Sequence, residues 1–129
     1  MNKNIINEEI SLAYDAIREV GIANEKGEVQ KTFRGQVTSF GASVLMGSLL
    51  SSIAFFSDDK KASVDRSLIL KAIFYILEKQ EKVGAEETDL FKYAQSNQKE
   101  KKEEILNAAT ALKLAMNLYH LTGEKEDGV

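Results

Sequence analysis

From Gly35 to Ser57 the chain reads GQVTSFGASVLMGSLLSSIAFFS, 23 residues without a charge, although Asp, Glu, Lys and Arg make up 29% of the whole. Uncharged length of that order fits a membrane span, a buried helix pair or an assembly surface. A spanning helix needs about 20 predominantly apolar residues. Here six serines, three glycines, Thr38 and Gln36 interrupt the stretch, and no apolar run exceeds the four residues Ile53–Phe56. The apolar residues are also periodic. Val29, Phe33, Val37, Phe40 and Val44 recur at spacings of three and four, which places them on one helical face. A lipid-facing helix would be apolar all round. The stretch therefore reads as two closely packed helices with a bend near Gly41 or Gly47. Its serines and glycines form a small-residue face that another backbone can approach.

The rest of the chain fits this reading. A length of 129 residues corresponds to one domain and buries about two-thirds of its unfolded surface. Residues 1–123 are expected to form one helical domain, and the tail 124–129, EKEDGV, to be disordered. With no proline and no Asn-Gly turn, strand-rich folds are disfavoured. The expected fold is all-α, a compact bundle of about five to seven helices. The periodicity predicts helices from about Asn4 to Asn24, Glu28 to Phe40, Ala42 to Phe56 and Val64 to Lys82. A short helix over Glu86–Ser96 and a last one from Gln98 to Leu121 follow. Ser63 is the expected N-cap of the fourth helix, which is the most apolar and hence central. The absence of cysteine excludes disulfides and thiolate metal sites and fits a reducing cytosol. The N-terminus, MNKNIINEEI, lacks a signal peptide's apolar core, so the protein is expected to be cytoplasmic, without membrane contact.

No constellation for catalysis is visible. The single histidine, His120, falls near the end of the last helix, where a cation suits the dipole or a packing role. The serines lie within helices, not at a strand-to-helix elbow. Glu86, Glu87 and Asp89 would make a metal cluster, yet three acids at a helix start also suit its dipole, and that reading is preferred. There is no calcium-loop spacing and no phosphate loop. The chain is expected to be neither an enzyme nor a holder of a metal or cofactor.

Charge distribution is more informative. The net charge is −3, but Val29–Leu77 carries six basic and three acidic residues, so the middle is basic on an acidic protein. Lys31 and Arg34 stand three apart, with Thr38 one turn further, on the side away from the apolar face. Lys60, Lys61, Arg66 and Lys71 follow the next loop. These six cations are the candidate nucleic-acid-binding residues, reading the phosphate backbone; no exposed aromatic ladder suggests base stacking.

The segment GSLLSSIAFFS, Gly47–Ser57, resembles the hallmark of the Cmr small-subunit family of type III-B CRISPR effector complexes. That family usually reads small-Gly-Leu-x-x-x-Leu-Ala-Phe, and Leu49, Ile53, Ala54 and Phe55 match it. Gly47 takes the small position and Ser48 the usual glycine, a departure. Ala13-Tyr14 followed by Ala16-Ile17 is similar to the family's opening pattern, and ATALKLAMNLYHL, Ala109–Leu121, to its closing helix. The resemblance spans about residues 9–121. It implies a non-catalytic structural subunit that stacks into a minor filament and helps hold target RNA along the guide. The implied partners are other Cmr subunits, further copies of this chain, and guide and target RNA. The alternative is a helical protein–protein adaptor without nucleic-acid binding.

Overall fold

A computed structural model describes residues 2–58 and 63–123. The expected tail 124–129 lies outside them, as do Lys60 and Lys61. Among the described residues the chain forms a helical bundle with one short pair of strands. Helix α1 spans Lys3–Glu19. Asn2 caps it, its side chain accepting from the amides of Asn4 (3.0 Å) and Ile5 (3.2 Å). The helix stops near Val20, short of the expected Asn24, because Gly21 takes φ +90. Asn24 then folds the turn, accepting from the amides of Lys26 and Glu28.

Strand β1, Glu28–Gln30, occupies the place expected for the start of the second helix. It pairs in parallel with β2, His120–Thr122, in the register Glu28↔His120, Val29↔Leu121 and Gln30↔Thr122. The last helix accordingly ends before the expected Leu121. Val29 is still buried with Phe33, Val37, Phe40 and Val44. It reaches the core from a strand, where one inward side chain suffices.

Helix α2 spans Lys31–Met46 and α3 Leu49–Phe56. The bend falls at Gly47-Ser48. A Cβ on Gly47 would stand 3.1 Å from the Ser43 carbonyl oxygen, so glycine fits the close turn. Ser48 caps α3, its hydroxyl accepting from the Ser51 amide (3.3 Å). Across the bend the hydroxyls of Ser43 and Ser52 meet at 2.6 Å. Ser52 is buried, whereas Ser39, Ser48 and Ser51 are exposed. No helix among the described residues is long and apolar enough to cross a membrane.

Helix α4 spans Ser67–Lys79. It starts later than expected because Asp65, not Ser63, accepts from the Ser67 amide and hydroxyl. Helix α5 is only Leu90–Ala94, capped by Asp89 through the Lys92 amide (2.9 Å). It is shorter than the expected Glu86–Ser96. Glu87 is drawn into a turn by the Gly84 amide (2.8 Å), and that bond holds its carboxyl below the usual range. Helix α6, Gln98–Met116, packs against α1, α2 and α4. The buried apolar side chains form one continuous cluster.

One polar group stands out inside. Glu9 on α1 is fully buried beside the Gln80 side chain, yet neither carboxylate oxygen makes a well-formed hydrogen bond, and Gln80 Oε1 is also unpartnered. Burial raises the Glu9 pKa above its ordinary 4.5, with Lys82 and the Gln80 side chain opposing the shift and Glu104 and Glu8 adding to it. An acid whose pKa is raised on folding destabilises the fold increasingly as pH climbs from the unfolded value through the folded one. Glu9→Gln removes that penalty and supplies an N–H for Gln80. The substitution is expected to stabilise the protein by about 1–3 kcal/mol at pH 8, with the gain shrinking toward pH 4.5. Thermal unfolding across this range checks it; a gain independent of pH would refute the assignment.

Candidate nucleic-acid interface

Helix α2 begins without a side-chain cap and without an acidic residue in its first turn. The positive end of its dipole therefore has no acid beside it in that turn. Lys31 opens this turn and is exposed; Arg34 follows one turn on, half-buried. The Lys31 methylenes lie against Gly123, just past β2, so the short sheet fixes where this cation stands. Arg34 has a buried Nε without a partner. The Thr38 hydroxyl turns inward to the Arg34 carbonyl oxygen (3.1 Å) and so serves its own helix. Lys31, Arg34 and the helix end together form a locus of positive potential.

Arg66 differs from the exposed cation that the sequence suggests. It is only 6% exposed. Its Nη2 donates to the carbonyl oxygens of Phe55 and Asp58, both at 3.2 Å. Its guanidinium lies 4.7 Å from the Phe55 ring centroid and 5.0 Å from that of Phe56. These partners sit at the C-terminal end of α3, where carbonyls lack helical partners and the dipole favours a cation. Arg66 thus ties α4 to the end of α3 through Nη2 and the two rings, while its Nε is buried without a hydrogen-bond partner.

Lys71 is exposed on α4 and stands apart from the α2 pair. It borders a cavity of about 280 Å³ between α3, α4 and the entry to α5. Phe91 lines the same cavity and is 38% exposed, whereas Leu90 and Ala94 of the same helix are buried. Helix α5 is too short to give a periodicity that would separate Phe91 from Leu90.

The acidic residues Glu87 and Asp89 serve as turn and cap acceptors. Glu87 also pairs with Lys101 at 3.2 Å. His120 is the first residue of β2, not a helix-end cation; it is exposed, and its amide donates to the Gly27 carbonyl oxygen at 3.1 Å.

A second surface adjoins these cations. Thr38, Gly41, Ala42 and Leu45 of α2 face Ala109 and Leu114 of α6 across an open apolar groove. Leu45 is 61% and Met46 89% exposed at its end. A Cβ added at Gly35 or Gly41 would meet nothing within 4 Å, so backbone is open to solvent here. The small-residue face expected from the sequence is real, and part of it is uncovered.

A family model described as CRISPR-associated protein (Cas_Cmr5) matches residues 6–120. No curated protein and no solved structure matches the chain.

The different placements of the cations have a measurable consequence. Arg66→Ala removes two charge-assisted hydrogen bonds and two ring contacts and is expected to cost about 2–4 kcal/mol. Lys31→Ala and Lys71→Ala, at exposed positions, should stay within about 0.5 kcal/mol of the parent. Urea unfolding of the three variants decides this, and equal stability of all three would show that Arg66 does not clamp α3.

Proposed function

The chain belongs to the family of CRISPR-associated proteins described as Cas_Cmr5, and on that footing we propose that it is a non-catalytic subunit of a Cmr complex, stacking into a minor filament and helping to hold target RNA along the guide. The single observation that carries this reading is the division of labour along α2. Its first turn offers Lys31 and Arg34 with no acid beside them, while its last turns offer Leu45, Met46 and an open small-residue groove. One rigid element thus presents phosphate-binding charge at one end and apolar contact surface at the other.

The partners in this reading are the other Cmr subunits and further copies of the chain, with guide and target RNA running past the cations in the cytoplasm. Lys31, Arg34 and Lys71 are the RNA contacts. Lys60 and Lys61 belong to the same basic stretch of sequence. Arg66 contributes by holding α3 and α4 together, so that Lys71 is correctly placed. The family assignment and the absence of a recognisable acid–base–nucleophile set in the sequence support a structural role.

Co-expression with the other Cmr subunits is expected to give a stable stoichiometric assembly. Failure to copurify under gentle salt would overturn the reading. Within the assembly, Lys31→Glu with Arg34→Glu should weaken target-RNA capture. A neutral Gln pair should flatten the log–log salt dependence by about 0.7 per lost phosphate contact. Capture indifferent to both pairs, with assembly intact, would instead favour an adaptor that touches only protein.

A further inference from the structure

We propose that the cavity beside Lys71 is a slot for one unstacked RNA base, with Lys71 holding the adjoining phosphate; this rests on the RNA-holding role above and adds where a base, not only the backbone, is bound. Three segments of chain build the slot. Ile53 of α3, Leu70 of α4 and Leu90 of α5 are buried and give it an apolar base. Phe74 of α4 and Phe91 of α5 flank it, and both are only partly buried. Lys71 stands exposed at its mouth.

The volume of about 280 Å³ falls just below the range of small-ligand pockets, about 300–1,000 Å³, and suits a single planar ring system. Aromatic and apolar flanks with one cation at the rim match a nucleotide, whose ring is apolar on its faces and whose phosphate is not. The lining argues against a bare phosphate inside. It is mostly apolar, and the acidic side chain it does contain, Asp89, would repel an anion.

The polar groups also indicate which base enters. The Ser57 hydroxyl donates to the Ile53 carbonyl oxygen (2.8 Å), and that of Ser67 to Asp65. One carboxylate oxygen of Asp89 accepts from the Lys92 amide. The second Asp89 oxygen remains to accept from a ligand. A carboxylate acceptor suits the exocyclic amino group of adenine, cytosine or guanine, whereas the one N–H on the pairing edge of uracil is flanked by two carbonyl oxygens that the carboxylate would repel. The slot therefore prefers an amino-bearing base over uracil.

The test uses the full chain and three single-stranded probes of equal length: oligo(A), oligo(U) and an abasic ribose–phosphate strand. Amide shifts are mapped by NMR, and affinities are measured at low salt. Oligo(A) is expected to move the amides of Leu70, Lys71, Leu90 and Phe91, with oligo(U) weaker and the abasic strand moving Lys71 alone through its phosphate. Phe91→Ala should weaken oligo(A) about tenfold and leave the abasic strand unchanged, while Lys71→Gln should weaken oligo(A) without unfolding the chain. Equal affinity of Phe91→Ala and parent for oligo(A) overturns the slot. Shifts confined to Lys31 and Arg34 also overturn it but keep the RNA-holding role. Shifts absent with every probe, even at millimolar strand, overturn both. Shielding of Phe91 by the other complex subunits without RNA would replace the base with a protein side chain and so overturn the proposal.

Discussion

The close approach of three helices to α6 is the constraint on which the fold depends. From Ile105 to Ala109 five consecutive residues are buried, and Ala111, Leu112, Ala115 and Met116 continue the burial around the helix. Four alanines among them shorten the distance at which α1, α2 and α4 can pack, because a methyl group holds a neighbouring helix off less than Leu or Phe would. Asn107, buried in the same run, accepts from the Asn2 amide at 3.3 Å and fixes where α1 begins. The sheet follows from this packing. Once α2 and α6 lie together, the residues before one and after the other are close enough to pair as β1 and β2.

That dependence explains which features the sequence makes legible. The spacing of Phe33, Val37, Phe40 and Val44 names the buried face of α2 directly, since a helix repeats its inward positions. Serines and glycines in the uncharged stretch likewise identify close packing, realised in the Ser43–Ser52 contact across the bend. The strands are not legible. Three residues carry no period, and Glu28 meets His120 only through folding of everything between them. Helix limits shift for similar local reasons, as where the Asp65 carboxylate holds a turn at Ser67 and α4 begins there and not after Ser63.

Charge is legible as count and order, not as exposure. Lys31, Arg34 and Lys71 read as surface cations and are at least partly accessible. Arg66 reads the same way, yet it is enclosed by the two rings and two carbonyls at the end of α3. Phe55 and Phe56, eleven and ten residues earlier, were the available signal, because arginine stacks on aromatic faces and forks between acceptors. Phe91 errs in the opposite direction. Hydrophobicity suggests burial, while its place on a five-residue helix leaves the ring at the mouth of a cavity.

The distribution of cations also bears on how such a subunit would work. Two or three phosphate contacts on one copy give a shallow salt dependence and weak affinity. The same contacts repeated along a filament act at high effective concentration, because binding at one copy presents the strand to the next. In the proposed filament the apolar end of α2 would then matter to RNA binding without touching RNA. If Leu45, Met46 and the open groove set the spacing between copies, they also set whether successive Lys31–Arg34 pairs meet successive phosphates or fall between them. In that proposed arrangement assembly surface and anion surface would be coupled through a rigid helix, so an error in packing at one end would appear as lost RNA affinity at the other.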